Sequence, residues 1–377
     1  MTENPGLIFT ALAFLLVLGP LVFVHEFGHY IAGRWFGVKA DAFSIGFGRE
    51  VFGWTDKRGT RWKVAWLPLG GYVKFAGDMN AASQPDPEWL ALPPAERART
   101  FQAKSLWQRA IIVAAGPIIN LLLAVLILAG FAYIGGDRVT PPVAGQVVAG
   151  SAAASAGIRP GDRIVGMEGR TFERFDDLVL YVSMRPGETA RMEIERGGVR
   201  SAMPITFGER REVDRFGNAY RVGMLGVRSG DQVIVPVSLV EAPVIGVRKT
   251  AAIIGMMADT LGQIVTGRRS MQELGGPLKI AQVSGGALSL GWPEFISLVA
   301  LISINLGFIN LLPIPMLDGG HLLFYAIEGV RRRPVSAAAQ EWAFRGGLAA
   351  ILALMLVVTI NDLGSFGVWK GLAGLIG

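Results

Sequence analysis

The segment that most constrains the fold is HEFGH, residues 25–29, at the end of an apolar run from Leu7 to Val24. Residues four apart share one face of an α-helix, about 6 Å apart along its axis, so His25 and His29 can bind one metal ion. This is the HExxH pattern, in which Glu26 is placed as a general base. Because ionisable groups at membrane depth are costly, we interpret the segment as a metal site rather than as tolerated polar residues.

The composition indicates a membrane protein. Hydrophobic residues make up 51% of the 377 residues, charged residues make up 18%, and the chain has no cysteine. Without thiolates, a zinc ion must take imidazole and carboxylate ligands. The net charge of +6 could suggest a nucleic-acid partner, but the basic residues adjoin apolar runs. The positive-inside rule, by which Lys and Arg collect in cytosolic loops, explains that distribution better. We therefore predict membrane lipid as a partner and no nucleic-acid partner.

Four apolar segments predict a polytopic α-helical membrane protein with four transmembrane helices. The spans are about residues 7–31, 111–134, 295–327 and 343–360. The loop at 34–109 is rich in Lys and Arg, which predicts a cytosolic loop and places both termini outside. Residues 244–267 are long enough to span. Their single apolar stripe and flanking basic residues instead favour a helix lying on the membrane surface.

Between the second and third spans the sequence changes to that of a soluble domain. Turn residues separate four short β-type runs, at 144–148, 163–167, 190–196 and 201–207. One helical stretch lies among them, at 176–183. These runs predict an inserted mixed α/β domain over residues 137–208, outside the membrane. Residues 209–243 are strand-like, with no definite fold. We assign residues 209–290 to this strand-like region together with the surface helix at 244–267.

Two shorter segments contain proline and glycine within otherwise apolar or strand-like sequence. Residues 61–75 (RWKVAWLPLGGYVKF) predict a short β-hairpin or looped pair of strands, because Pro68 and a Gly pair interrupt the middle. Residues 116–120 (GPIIN) lie near the cytosolic start of the second span. Either this segment is a plain entry turn that tolerates proline, or Asn120 faces the metal cavity.

A catalytic zinc ion usually has three protein ligands, so the two histidines need a partner. Asp318 and His321 are the candidates, both in NLLPIPMLDGGH, residues 310–321. The prolines in this motif forbid a regular helix, and irregular backbone at membrane depth is tolerated only in a protein interior or along a cavity. By helix rise, His25 lies about 27 Å past Leu7 and Asp318 about 35 Å past Phe295. Both motifs therefore fall toward the cytosolic face.

In this order, HEFGH, GPIIN, the inserted domain and NLLPIPMLDGGH resemble the site-2 protease family of intramembrane zinc metalloproteases. The closest resemblance is to the bacterial regulator-of-sigma-E protease type, and FSIGFG (43–48) and PLGGYVKF (68–75) extend it over nearly the whole chain. Residues 150–169 look like the core of a PDZ domain, a module that binds extended peptides at a sheet edge. One clear copy is present here, whereas that protease type has two in tandem.

The resemblance implies that Asp318 is the third zinc ligand and that His321 is a supporting residue. It also implies that Asn310 contacts substrate or stabilises the reacting carbonyl. The hairpin with Gly70 and Gly71 would then be membrane-associated and lie beside the site, and Asn120 is a further candidate for support of substrate or transition state. The implied activity is regulated intramembrane proteolysis in the bacterial inner membrane, on single-span proteins of the anti-sigma-factor type and on signal-peptide remnants.

Two other classes of function fit parts of the sequence. A secondary transporter could use broken helices and buried carboxylates at membrane depth, but it would not require HExxH, and no inverted repeat is visible. A PDZ membrane scaffold without activity would keep the fold and lose the metal ligands. All four residues of the proposed set, His25, Glu26, His29 and Asp318, are intact.

Overall fold

The structure, a computed structural model, describes residues 6–78, 91–213, 219–266 and 276–365. The chain divides into two compact units. The first combines Met1–Gly130 with Pro243–Gly377, and the second is Phe131–Ala242. The second unit is therefore an insertion in the sequence of the first, as the change of composition predicts.

Helices and strands are numbered along the chain. The helices are α1 (Leu7–Trp35), α2 (Pro94–Arg97), α3 (Leu106–Gly135), α4 (Ala152–Ser155), α5 (Phe175–Ser183), α6 (Ala242–Val265), α7 (Pro277–Leu290), α8 (Trp292–Leu311), α9 (Asp318–Arg331) and α10 (Ala337–Ser365). The strands are β1 (Ala40–Thr55), β2 (Arg61–Phe75), β3 (Asp137–Val139), β4 (Ala144–Val147), β5 (Arg163–Met167), β6 (Arg170–Thr171), β7 (Thr189–Arg196), β8 (Val199–Thr206), β9 (Gly208–Val213), β10 (Ala219–Met224), β11 (Val227–Ser229) and β12 (Val233–Val235).

Four of the described helices are long and apolar enough to cross a membrane: α1, α3, α8 and residues 338–363 of α10. They coincide with the four predicted spans, and the chain is a multi-pass membrane protein. The third predicted span, 295–327, is interrupted as the prolines predict, because α8 ends at Leu311 and α9 begins at Asp318. Pro313 and Pro315 lie in the break, where they cost no helical hydrogen bond. Helix α6 is formed as predicted, and its position on the membrane surface stays a prediction.

Packing in the first unit brings α1 against α7 and α8. Ala13, Val17 and Leu21 lie on one face of α1, are fully buried and form a cluster with Phe295 of α8. The sequence interpretation assigned no helix to residues 277–290, where α7 forms. That helix carries polar and glycine residues, such as Ser284 and Gly285, on its buried side, so it lacks the apolar stripe by which a helix is recognised.

The hairpin of the first unit is larger than predicted. Residues 61–75 form one strand, β2, which pairs antiparallel with β1, so the prediction of a hairpin within 61–75 was wrong. The turn lies at residues 56–60, where Asp56 Oδ1 accepts hydrogen bonds from the amides of Arg58 (2.8 Å) and Thr60 (3.0 Å).

The hairpin curls so that part of β1 is paired on both sides. Residues 42–45 pair with 71–74 on one side and with 61–64 on the other. Aromatic packing fixes the curled hairpin on α1, since Phe43 stacks on Trp62 (ring centroids 4.4 Å) and both rings contact Tyr30 of α1. Residues 71–75 consequently form the strand at one edge of this small sheet.

The second unit is built on an antiparallel sheet with strand order β6-β5-β7-β8. Its core includes Ile164, Leu178 and Met192, which are at most 1% exposed. The four predicted strands and the helix are all present, with no end shifted by more than two residues. The unit does not end at 208 as predicted, because β11 pairs with β4, β12 pairs with β3, and Leu225 joins the core. Residues 209–243 were predicted to be strand-like, but strands of three residues show no sequence period that would indicate which unit they join.

A charged pair locks the turn before β5 to the end of β7. Asp162 is 1% exposed, and its carboxylate accepts two hydrogen bonds from the Arg196 guanidinium, both at 2.6 Å, and one from the Arg159 amide at 2.8 Å. The hydrogen bonds from Arg196 hold the pKa of Asp162 below its ordinary value. A carboxyl group with a lowered pKa stabilises the folded state above its unfolded-state pKa, and this contribution is lost as the pH falls through the folded-state pKa.

We therefore predict that Asp162→Ala speeds amide hydrogen exchange in β7 by about tenfold at pH 7, because a buried hydrogen-bonded carboxylate is lost. The difference from wild type should persist down to about pH 5 and shrink below about pH 4, as the wild-type carboxyl takes up its proton. Hydrogen-exchange mass spectrometry on the full chain measures both effects. Asp231→Ala, at an exposed position, is the control. A difference unchanged at pH 3 would contradict the role of the charged form.

Candidate metal centre

Helix α1 places the two motif histidines one turn apart on the same face. Their Nε2 atoms are 3.3 Å apart. Asp318, the first residue of α9, brings its Oδ2 atom to 3.2 Å from His25 Nε2 and 3.6 Å from His29 Nε2. In the part of the chain that the structure describes, these three residues form the one group of His, Asp or Glu side chains arranged to hold a metal ion.

The spacing of the three donor atoms fits zinc. A tetrahedral zinc ion with bonds of about 2.0–2.1 Å separates its ligand atoms by roughly 3.3–3.4 Å. The observed separations of 3.2, 3.3 and 3.6 Å bracket that value. Asp318 Oδ2 is also buried without a well-directed hydrogen bond from any described residue. Three lone-pair atoms that face one another at this distance are explained by a cation that they share.

The Nδ1 nitrogen of His29 determines which tautomer its imidazole ring adopts. Nδ1 of His29 lies 2.9 Å from the Ile112 carbonyl oxygen of α3. A carbonyl oxygen only accepts, so Nδ1 carries the proton and Nε2 presents its lone pair to the metal. Gly116, the first residue of GPIIN, makes room for the ring, because a Cβ there would collide with His29 Nε2. The sequence analysis assigned no role to Gly116 or Ile112, and a carbonyl acceptor leaves no signal in a sequence.

Glu26 lies between the metal donors and the edge strand of the hairpin. Its side chain is almost fully buried, and its carboxylate lies next to the Val73 amide of β2. Gly71 is next to it, since a Cβ at Gly71 would lie 2.8 Å from Glu26 Cγ and 2.6 Å from the Ser44 carbonyl oxygen. The position of residues 71–75 against α1 thus depends on glycine.

A cavity of about 500 Å³ opens beside these groups. Predicted residues that line it are the two histidines, Glu26, Asp318, Asn310, Gly70 and Gly71. Apolar side chains, among them Val22, Phe47 and Leu306, form much of the remaining wall. The cavity combines a few converging polar groups with an apolar lining, as small substrate sites do.

Asp318 owes its position to the irregular segment between α8 and α9. The two glycines that follow it allow close packing, because a Cβ at Gly319 would collide with the Leu312 carbonyl oxygen and one at Gly320 with that of Ile314. Met316, which lines the cavity, has φ +85°, a conformation that is strained for a residue with a side chain. Such strain persists only where surrounding contacts impose it, as they do around this segment.

Comparison with known proteins identifies the family. Residues 13–354 match the model of peptidase family M50. The chain belongs to peptidase family M50, the site-2 protease family. A protein of Agrobacterium fabrum named as a zinc metalloprotease is 47% identical over 357 residues, covering 93% of this chain and 95% of the relative. The metalloprotease MmpA of Caulobacter vibrioides is 38% identical over 396 residues, covering 98% and 99%.

This M50 peptidase is therefore a zinc metalloprotease with a multi-pass membrane domain. The family membership favours an enzyme over the scaffold and transporter alternatives. His321, the alternative to Asp318 as third ligand, lines the cavity, and its ring packs against Phe344 with centroids 5.0 Å apart. It does not belong to the group of three donors described above. The geometry thus agrees with the ligand set that the resemblance implies.

Asn120 is the one predicted site residue that does not line the cavity. Its side chain is fully buried in α3, and its amide lies on the far side of the His25 ring, with Nδ2 3.2 Å from His25 Nδ1. The expectation that Asn120 faces the cavity was therefore wrong, although the residue does belong to the surroundings of the metal centre. The plain entry-turn alternative does not explain this contact either.

We predict that Asp318→Ala removes most of the zinc from this M50 peptidase, because one of three protein ligands is lost. His321→Ala should retain zinc close to the wild-type amount. Inductively coupled plasma mass spectrometry on purified protein, after dialysis against a weak chelator, measures the difference. The reverse order of zinc content would make His321 the third ligand.

Proposed function

We propose that this M50 peptidase is an intramembrane endopeptidase that cleaves single-span membrane proteins within or near their transmembrane segments. The observation that carries the proposal is the position of the donors. His25 and His29 lie on α1, a helix long and apolar enough to cross a membrane, and Asp318 follows α8, which is another. A peptide bond that reaches these donors must therefore come to the membrane-embedded helices themselves.

The residues around the donors suit peptide hydrolysis. Zinc, when bound, polarises a carbonyl and lowers the pKa of a bound water toward about 7. Glu26 is placed beside the donors to take the proton of the attacking water and later to deliver it to the leaving amine. Asn310 lines the same cavity, where its amide can donate to the substrate carbonyl oxygen.

A substrate helix hides its carbonyl groups in its own hydrogen bonds, so it must unwind before it is cut. The strand at residues 71–75 offers a place for the unwound segment, because it is an edge strand that lines the cavity. An extended peptide added to this edge would run beside Glu26 and the metal donors. Gly70 and Gly71 keep the backbone of this edge accessible, since neither presents a side chain to the peptide.

We further propose the bacterial inner membrane as the location, with loop 34–109 cytosolic and both termini outside, on the basis of the charge distribution. The proposed process is regulated intramembrane proteolysis, with substrates of the anti-sigma-factor type and signal-peptide remnants. The second unit would act as a PDZ-like domain that binds a peptide or a substrate segment. In support, residues 150–169 resemble the core of a PDZ domain.

The general-base role predicts that Glu26→Gln lowers the cleavage rate at least about 100-fold, because the amide keeps the shape of the carboxylate but cannot accept the proton. Zinc content should be unchanged. Cleavage of a single-span substrate by the purified enzyme in detergent micelles, with metal analysis of the same sample, tests both expectations. A zinc-loaded variant that still cuts at the wild-type rate would disprove the assignment of Glu26.

The edge-strand role predicts that Gly71→Ala lowers cleavage at least about tenfold with zinc retained, because the added methyl group must displace the strand or Glu26. Gly130→Ala is the matched control, since a Cβ at Gly130 meets no described atom within 4 Å. Wild-type cleavage by Gly71→Ala would show that the close approach of this strand to α1 is not needed for catalysis.

A further inference from the structure

Asn120 has a buried polar side chain, and its contact with His25 has no role in the mechanism proposed above. It lies in the first unit on α3 and is fully buried. One atom of its amide reaches His25 Nδ1 at 3.2 Å, and the other, Oδ1 as placed, has no partner among the described residues. A buried amide held against a metal-binding histidine requires an explanation, because unpaired polar groups are costly in an apolar interior.

The proton on His25 decides what Asn120 must do. His25 Nε2 faces His29 Nε2 and Asp318 Oδ2, so a metal ion shared with them uses the Nε2 lone pair. A neutral imidazole that binds metal through Nε2 carries its proton on Nδ1. His25 Nδ1 is then a donor and needs an acceptor opposite it. The His29 ring has the same arrangement, with the Ile112 carbonyl oxygen as its acceptor.

The amide oxygen of Asn120 can supply that acceptor. The oxygen and nitrogen of an amide are distinguished only by their hydrogen bonds, and here the nitrogen as placed would put two donors against each other. Rotating the amide by half a turn brings Oδ1 to His25 Nδ1 and makes a hydrogen bond. We propose that Asn120 is a positioning residue that accepts the Nδ1 proton of His25 and so fixes the ring state and orientation of this zinc ligand.

The surroundings of Asn120 hold it in place for this role. Ser303 of α8, itself fully buried, donates a hydrogen bond from its Oγ to the backbone carbonyl oxygen of Asn120 at 2.7 Å. Gly307, one turn further along α8, packs closely on α3, because a Cβ there would lie 3.0 Å from the Pro117 carbonyl oxygen. The turn of α3 that carries Asn120 is therefore fixed against α8, and the amide has little freedom to leave His25.

The proposal gives Asn120 a function different from contact with substrate. A group that accepts the outer proton of a metal-binding imidazole raises the basicity of the ligand and orients its ring, and its loss typically weakens metal affinity about 10–100-fold. The effect should appear in zinc binding by the resting enzyme. A residue that only contacts substrate would alter cleavage and leave zinc affinity unchanged.

The test is the zinc dissociation constant of the full-length protein in detergent micelles, measured by competition with a chromophoric chelator. Asn120→Leu, which keeps the size and removes the acceptor, should weaken zinc binding about 10–100-fold. Asn120→Asp, whose carboxylate can only accept when ionised, should restore affinity to the wild-type value or better. Asn120→Ala should behave as Asn120→Leu does, and it replaces that variant if leucine prevents folding.

Thr250→Val is the matched control, because Thr250 is also buried and its hydroxyl has no partner among the described residues. It should leave zinc affinity unchanged. Wild-type affinity in Asn120→Leu, or a loss in Asn120→Asp as large as in Asn120→Leu, would overturn the inference. The inference rests on His25 as a zinc ligand, so His25→Ala is measured in parallel. Unchanged zinc binding in His25→Ala would overturn the metal centre itself, a result distinct from failure of the Asn120 role alone.

Discussion

The structure depends on keeping three metal-binding side chains inside a bundle of apolar helices. Imidazole and carboxylate groups at this depth are stable only if every donor and acceptor has a partner. The ligand atoms of His25, His29 and Asp318 satisfy one another through the metal that they can share. The outer nitrogens of the two rings find their partners on α3, in the Ile112 carbonyl and the Asn120 amide.

This requirement explains why α3 must approach α1 so closely. A Cβ at Gly28 would lie 2.6 Å from the Ala115 carbonyl oxygen, and one at Gly116 would collide with the His29 ring. Each helix therefore presents a glycine where the other comes nearest. The third candidate ligand, Asp318, is the first residue of α9 and directly follows residues 312–317, where proline excludes a regular helix. The break allows Asp318 to begin α9 at the donor group.

The hairpin has a different role, because it places the backbone of an edge strand beside the metal centre. An unpaired strand edge is a liability in water, since it invites unwanted pairing. Here the edge at residues 71–75 lines the cavity beside α1, with the Glu26 carboxylate next to the Val73 amide. The same edge is thus covered in the resting protein and remains beside Glu26, the proposed general base. Aromatic contacts of Phe43 with Tyr30 and Trp62 hold it there.

The sequence by itself determined the four long apolar helices, the strands at the centre of the inserted unit and the metal-binding pattern. Each of these follows from a local period: a run of apolar residues, an alternation, or a four-residue spacing on one helix. The choice between Asp318 and His321 needed either a family resemblance or the fold, because both lie in one short motif. Only the tertiary structure decided that Asn120 lies behind His25, that Gly116 admits the His29 ring, and that β2 pairs with residues 40–55. These contacts join residues up to 95 positions apart, and helical or strand periodicity carries no information about which distant element will be the neighbour.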